Sequence, residues 1–353
     1  MGYLKNAWYV AGWAHEVEAG KLTARTYLDQ PVVLFRSGGR IRALADACPH
    51  RFAPLSRGRL DGEVIECGYH GLRFDGSGAC VLNPQDPEKT PPRARVRSYP
   101  VVERQSLVWI WMGAADEADE ALVPDYPEFD QPDRWRAVSG YTRIEGNYLL
   151  AIDNLMDLSH PEFLHDGSLG SPALRTAHFE TEAGSPRLIR SNRWFEEGPL
   201  PPALEAYFPT NGRPVEHWAN MRWEAPSNLW LDVGATFTGR ARDEGLVSFA
   251  AHLLTPETAA STHYFWASLR RDALDSKEVD RQVHEALRRV FEEEDCPMIR
   301  AIQQRTQGVD LFSLGPIYLP GDAAAVRVRR ALEALVADEH AAAEAEVSSA
   351  DRQ

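Results

Sequence analysis

Two short cysteine–histidine pairs are the residues of this sequence best suited to chemistry. Cys48-Pro49-His50 and Cys67-Gly68-Tyr69-His70 are sixteen residues apart and together offer two thiolates and two imidazoles. Ligands of these types suit one zinc ion or one two-iron cluster. A structural zinc site pairs a C-x2-4-C knuckle with an H-x3-5-H helix, and neither spacing is present here. In the alternative, two thiolates hold one iron of a [2Fe-2S] cluster and two imidazoles hold the other. Each loop must then donate one of each, as these loops do. Neutral imidazoles in place of thiolates remove negative charge and raise the potential, which suits a cluster that takes an electron from a reductase and passes it on. Gly58, Gly62, Gly68, Gly71, Gly76 and Gly78 crowd the same stretch, as expected where backbone N–H groups must approach cluster sulfurs. Pro49 stiffens the first loop. Cys80 and Cys296 have no histidine neighbour and read as small buried hydrophobes.

A second group follows at Asp157, His160 and His165. Five residues along a regular helix rotate a side chain by about 140°, so an unbroken helix would aim the two histidines apart. Pro161 removes the obstacle: it has no N–H for the Asp157 carbonyl and crowds it, so the helix is expected to kink or end there. Asp157 and His160 then stay on one helix face, where Asp157 can orient the imidazole or carry a proton and electron path to it. A mononuclear site needs a third ligand. Glu292-Glu293-Glu294-Asp295 lies in a helical stretch, and such a run is ordinarily a solvated face. Against the stripe of Leu287, Phe291, Met298 and Ile302, Glu292 and Glu293 point away, whereas Glu294 and Asp295 fall on its two borders. Periodicity leaves both open.

The elements that must position these groups fall into two parts. The first third reads as a small all-β module, with strands at Val32 to Phe35, Ile41 to Ala45 and Leu107 to Met112. An acidic, proline-punctuated stretch separates it from the rest. The domains are therefore drawn at 1–115, a linker at 116–130, a catalytic domain at 131–340 and a disordered tail at 341–353. Tyr148 to Asp157 is helical, Arg187 to Leu269 is strand-rich, Glu278 to Gln304 is a long helix, and a last helix starts at an Asp322 N-cap. With 353 residues, about two domains are expected. The formal charge of −14 argues against nucleic acid. No apolar run approaches the ~18 residues of a membrane span and no leader is visible, so a cytoplasmic protein is expected. Gly76-Ser77-Gly78-Ala79-Cys80-Val81 lacks the third glycine of a dinucleotide fingerprint, so the electrons must come from a separate reductase or ferredoxin.

The residues Cys48-Pro49-His50-Arg51 and Cys67-Gly68-Tyr69-His70-Gly71-Leu72 resemble those of the Rieske non-heme iron oxygenases, oxygenase component. Asn6-Ala7-Trp8-Tyr9-Val10-Ala11, Asp153-Asn154-Leu155-Met156-Asp157-Leu158 and Leu254-Thr255-Pro256-Glu257-Thr258 are similar to the vanillate O-demethylase and dicamba monooxygenase branch, and the likeness covers nearly the whole chain. It implies an α+β fold: an N-terminal all-β Rieske domain and a C-terminal helix-grip domain with an antiparallel sheet and a long C-terminal helix. It implies Cys48, His50, Cys67 and His70 as cluster ligands, and His160, His165 and, because the family's acid follows a Glu, Asp295 as ligands of a mononuclear Fe(II). Such a triad leaves positions open for dioxygen. It also implies catalytic roles for Asp157 and Asn154, and a homotrimer in which the cluster of one subunit serves the iron of its neighbour.

The same resemblance implies a small, methoxylated aromatic acid as substrate, hydroxylated or O-demethylated with release of formaldehyde. Leu231, Phe249, His252, Trp266, Ala286 and Val290 are candidates to line the pocket. His252 matches a substrate-contacting position of the dicamba branch, or is a half-buried strand histidine. Leu231 and Ala286 stand where that enzyme has an asparagine and a tryptophan, and loss of a polar partner alters specificity. The rivals are a ring-hydroxylating, sulfonate-methyl or N-demethylating oxygenase with the same metals, and a zinc-stabilised binding protein.

Overall fold

A computed structural model describes residues 2–350. They form two compact units. One comprises Lys5–Asp125 with Thr255–Thr258, and the other comprises the remaining described residues. The chain passes between them at Asp125 and Tyr126, within the segment 116–130 that composition predicts to be a linker. That segment is no open tether. It holds short 3-10 turns at Ala115–Glu117, Glu120–Leu122 and Pro127–Asp130. The Arg104 and Gln105 side chains donate to Asp125 Oδ1 at 2.7 and 2.8 Å, which holds the stretch up to 125 in the first unit.

The first unit is all β. Three small sheets are built from β1 (Trp8–Trp13), β2 (Thr23–Tyr27), β3 (Gln30–Ser37), β4 (Arg40–Ala45), β5 (Arg59–Asp61), β6 (Val64–Glu66), β7 (Arg73–Phe74), β8 (Cys80–Leu82), β9 (Ser98–Tyr99), β10 (Val101–Arg104) and β11 (Leu107–Trp111), in the orders β1-β11-β10, β2-β3-β4-β9 and β5-β6-β7-β8. Alternating apolar residues of β3 and β4 bury Val33, Phe35 and Leu44 against Ile65 and Phe74. Cys48 and Cys67 belong to that same core.

The second unit is built on a seven-stranded antiparallel sheet. Its strands are β12 (Arg136–Ile144), β13 (His178–Ser185), β14 (Leu188–Phe195), β15 (Val215–Glu224), β16 (Asn228–Phe237), β17 (Leu246–Thr258) and β18 (Ser261–Arg270), in the order β12-β18-β17-β16-β15-β14-β13. One face carries Ile189, Met221, Leu229, Leu254, Tyr264 and Trp266 into the largest core. A Cβ at Gly140 would collide with the Trp266 indole, so the glycine on β12 lets that ring lie flat against the sheet. Helices α1 (Tyr148–Met156), α2 (Pro161–Leu164), α3 (Pro202–Tyr207), α4 (Lys277–Arg289), α5 (Cys296–Thr306) and α6 (Ala323–Ala350) complete the unit. Residues of α1, α5 and α6 close over the sheet's core face. This is the α+β arrangement expected from the sequence.

Four expectations are corrected. First, the helix from Tyr148 stops at Met156, well before Pro161, because Asp157 leaves the helical conformation at φ −88°, ψ 95°. Asp157 and His160 therefore share no helix face. Second, α4 and α5 are joined by a π-helical turn, Val290–Asp295. The wider turn shifts the phase of the helix face, so Cys296 and Ile299 are buried while Met298 and Ile302, expected in the stripe, are exposed. Third, Phe249 packs on Trp135 and Trp230 with ring centroids 4.9 and 5.4 Å away. It lies on the sheet face opposite Leu231 and His252, as the period of two along a strand requires, and lines no pocket with them. Fourth, α6 runs on to Ala350, so residues 341–350 are helical and not a tail; residues 351–353 lie outside the described residues.

Arg329 on α6, 2% exposed, makes a two-pronged ion pair with Asp153 on α1, with Nε and Nη2 at 2.8 and 2.5 Å from the two carboxylate oxygens. Removing one member of a buried pair leaves the other charge uncompensated. Arg329→Met should therefore lower the unfolding free energy by about 3–5 kcal/mol. The double variant Arg329→Met/Asp153→Leu should recover most of that loss, as read by urea denaturation.

Candidate metal centres and active site

The two cysteine–histidine loops are built alike. In the first, the Cys48 N–H donates to Ala53 O (2.9 Å) and the Phe52 N–H to Cys48 O (2.7 Å); in the second, the Cys67 N–H donates to Leu72 O (2.8 Å) and the Gly71 N–H to Cys67 O (2.9 Å). The fourth residue after each cysteine is left-handed, with φ 56° at Phe52 and 73° at Gly71. A Cβ at Gly68 would press on the Arg57 carbonyl oxygen, so a glycine is needed for the loops to come this close. Both cysteines are 2% exposed, and the His50 and His70 rings stand edge to face with centroids 4.5 Å apart. The imidazoles line a surface cleft of about 290 Å³ together with Pro49, Leu72 and Arg93.

The donor set fits a two-iron cluster. Burial, with Cys67 alongside, pushes the Cys48 thiol up to about 11. Two buried sulfurs this close are held as thiolates only when a cation neutralises them. Cys296 is buried in the core of the second unit, as expected of a small hydrophobe, whereas Cys80 is half-buried.

In the second unit, the two ends of α2 and the π turn bring His160, His165 and Asp295 together, with one ligand atom of each lying within 4.8 Å of the others. His160 Nδ1–H donates to the Asp157 carbonyl oxygen at 2.5 Å, and His165 Nδ1–H donates to Glu294 Oε2 at 2.6 Å. With both Nδ1 atoms used as donors, both Nε2 atoms present lone pairs. These lone pairs face each other at 3.1 Å, and Asp295 Oδ1 lies 3.3 Å from His165 Nε2 and 3.6 Å from His160 Nε2. In the neutral rings, two nitrogen lone pairs and a carboxylate oxygen converge, which suits a metal cation. Ligand bonds of ~2.1 Å at right angles separate their donors by about 3 Å. Burial keeps His160 below the usual imidazole range, whereas at His165 burial is outweighed by the Asp295 and Glu294 carboxylates, which hold the ring above it, the same negative surroundings that favour a bound cation.

The structure distinguishes the two acids that helix periodicity cannot. Asp295, 6% exposed, meets both histidines, and Asn154 Nδ2 donates to its Oδ1 at 2.9 Å. Glu294 stands behind His165 and also accepts from Ser168 Oγ at 3.1 Å. It holds the imidazole's orientation, a role that the sequence showed only as a border position on the helix. The Asp157 carboxylate accepts from the Ser159 N–H and hydroxyl at 2.8 and 2.5 Å, so its link to His160 runs through its main-chain carbonyl.

Of the residues expected to meet substrate, Leu231 and His252 lie on the core face of the sheet, and Trp266 and Val290 are buried there. Ala286 sits exposed on α4 and is not enclosed with them. Tyr264, which the sequence did not single out, has its hydroxyl 2.6 Å from His252 Nδ1.

Comparisons with known proteins agree with both centres. Residues 7–100 match the Rieske [2Fe-2S] domain, and residues 144–338 match the vanillate O-demethylase oxygenase C-terminal domain. The chain is 38% identical over 337 residues to the dicamba O-demethylase oxygenase component of Stenotrophomonas maltophilia, covering 95% of this chain and 98% of that protein. It is also 38% identical over 339 residues to a chloroacetanilide N-alkylformylase oxygenase component of Rhizorhabdus wittichii, covering 94% and 95%. A vanillate O-demethylase oxygenase subunit of Pseudomonas sp. is 33% identical over 326 residues, covering 89% and 96%. Crystal structures of dicamba monooxygenase bound to dicamba and with non-heme iron superpose with TM-scores of 0.89 and 0.84, at 37% and 36% identity, each covering 97% of this chain and 100% and 99% of theirs. The chain thus belongs to the Rieske non-heme iron oxygenases, as the oxygenase component of an O-demethylase-type monooxygenase that works with a Rieske [2Fe-2S] cluster and a mononuclear iron.

Proposed function

We propose that this oxygenase component hydroxylates or O-demethylates a small methoxylated aromatic acid. Cys48 and Cys67 would bind one cluster iron, His50 and His70 the other, and His160, His165 and Asp295 the mononuclear iron. The observation that carries this reading is the convergence of two imidazole lone pairs and one carboxylate oxygen, each aimed by a partner behind it. When bound, the iron centres supply electrons one at a time and activate dioxygen. The chain's own part is positional: Glu294 and the Asp157 carbonyl fix the two imidazoles, and Asn154 fixes the carboxylate. Leu231, Trp266, Val290 and Phe291 exclude water from the sheet face beside them.

For an O-methyl substrate, one oxygen atom of dioxygen enters a methyl C–H bond. The other leaves as water, with two electrons from the reductase or ferredoxin and two protons. The resulting hemiacetal breaks its C–O bond to give a phenol and formaldehyde. A second reading, N-dealkylation, draws support from the equal identity to the chloroacetanilide enzyme and from Leu231, an apolar residue on the core face. None of the four cysteines is in a disulfide, in keeping with a cytoplasmic setting. Exposed Met298, Ile302, Leu314, Ile317, Tyr318 and Leu319 support burial against other subunits, as in a homotrimer.

With a surrogate reductase, 2-methoxybenzoate should stimulate oxygen uptake and yield formaldehyde in equal amount; uptake without formaldehyde would reject demethylation. Asp295→Ala should keep the visible cluster spectrum and lose the mononuclear iron and turnover, whereas Glu294→Gln should keep the site and weaken iron binding about 10–100-fold, measured by iron content after graded chelation. Asp157→Asn keeps the main-chain carbonyl that holds His160, so it should spare both metals and, if the carboxylate lies on the electron path, slow cluster oxidation in single-turnover experiments.

A further inference from the structure

Tyr264 on β18 and His252 on β17 are neighbours on the core face of the seven-stranded sheet, 3% and 5% exposed. The tyrosine hydroxyl lies 2.6 Å from His252 Nδ1. Nε2 of the same ring has no hydrogen-bond partner among the described residues. Two proton arrangements are possible. If Nδ1–H donated to the tyrosine, the phenolic proton and the Nε2 lone pair would both be stranded in the interior. If the hydroxyl donates to Nδ1, only Nε2–H lacks a partner. Buried polar groups are paired wherever the structure allows, so the second arrangement prevails. Burial also raises the Tyr264 hydroxyl well above the usual phenol range and pushes His252 down to about 4, so both rings are neutral at pH 7.

The surroundings give that single donor its meaning. Phe291, on the π turn that also carries Asp295, packs edge to face on both rings, with centroids 5.9 Å from His252 and 5.0 Å from Tyr264. Trp266 closes against Phe291 at 5.5 Å. Asp295 is near enough for its charge to act on His252. An apolar wall close to the metal ligands thus contains one N–H group that the protein itself leaves unmatched.

The resemblance to the dicamba branch implies that His252 meets the substrate; we propose that Tyr264 is the positioning residue behind it, holding the imidazole as the Nε2–H tautomer, so that this contact is made by one fixed, neutral donor to an acceptor atom on the ring substituent that is not oxidised. The substrate side of this inference rests on the aromatic acid proposed above; the tautomer does not. One directional bond among apolar contacts sets which edge of a flat ring faces the iron ligands, and a phenylalanine at 264 would leave the imidazole free to adopt either tautomer.

The tautomer is read by nitrogen-15 NMR on the full-length protein, with the cluster oxidised, Zn(II) in the mononuclear site and nitrogen-15-labelled histidine. The His252 signals are assigned by their loss in His252→Gln. The wild type should show a protonated Nε2 and a bare Nδ1, and Tyr264→Phe should show a mixture of both forms. On the iron-loaded enzyme, Tyr264→Phe should raise KM for 2-methoxybenzoate about tenfold with kcat changed less than about twofold, and should raise KM for anisole, which lacks the carboxylate, several-fold less. A protonated Nδ1 in the wild type, an unchanged KM for 2-methoxybenzoate, or an equal rise in KM for both probes overturns the proposal. If the wild type oxidises neither probe, the substrate class falls, and the NMR measurement decides the role of Tyr264 by itself.

Discussion

Two imidazole nitrogens and a carboxylate oxygen, all presenting lone pairs, face one another across 3.1–3.6 Å inside the second unit. Each of the three groups is held from behind. The Asp157 carbonyl and Glu294 take the two Nδ1 protons, and Asn154 donates to Asp295. The break after Met156, Pro161 at the start of α2 and the π turn before Cys296 are all irregularities in otherwise helical chain. Each serves to turn one of these groups inward. The site is thus placed where the helices stop being regular, and the regular sheet serves as the floor against which they are packed.

That placement explains what was legible in the sequence. The cluster ligands were plain because each pair lies within one short loop, where spacing along the chain is spacing in space. For His160 and His165 the sequence marks the break at the wrong residue: α1 stops before Asp157, and Pro161, the expected breaker, begins α2. The acid was not legible. Helical periodicity of 3.6 residues put Glu294 and Asp295 on opposite borders of the apolar stripe, and the π turn changes the period across those very residues. The same change of phase misplaced Met298 and Ile302. Phe249 was misread because a strand with both faces covered shows no alternation of polarity to mark its inner side. The extension of α6 past 340 was missed because an Ala- and Glu-rich end reads equally well as helix or as frayed chain.

The two loops of the first unit show a different economy. Their backbone hydrogen bonds are the same, although one carries C-x-H and the other C-x-x-H. The turn, and not the ligand spacing, is the repeated unit. A left-handed residue four positions after each cysteine closes it, and the second loop uses glycine there, whereas the first uses Phe52, 78% exposed. The first loop therefore holds an exposed aromatic residue in a conformation that costs a bulky residue about 1–3 kcal/mol, where the second uses a glycine that adopts it freely.

Metal binding and substrate choice draw on separate parts of the second unit. The proposed metal donors flank α2 and sit on the π turn, while the proposed pocket wall comes from side chains on the core face of β16 to β18 and from Phe291. Altering Leu231 leaves every partner of His160, His165 and Asp295 in place, because none of their hydrogen bonds reaches β16. Relatives named as a dicamba O-demethylase and as a chloroacetanilide N-alkylformylase stand at the same 38% identity to this chain, as expected when one metal scaffold accepts many walls. Phe291 is the point where the two parts meet: it packs on His252 and Tyr264 while belonging to the same turn as Asp295. A change in the wall that moves Phe291 therefore also moves the carboxylate, whereas a change at Leu231 does not, and on this fold specificity is freest to vary on the strand side of the pocket.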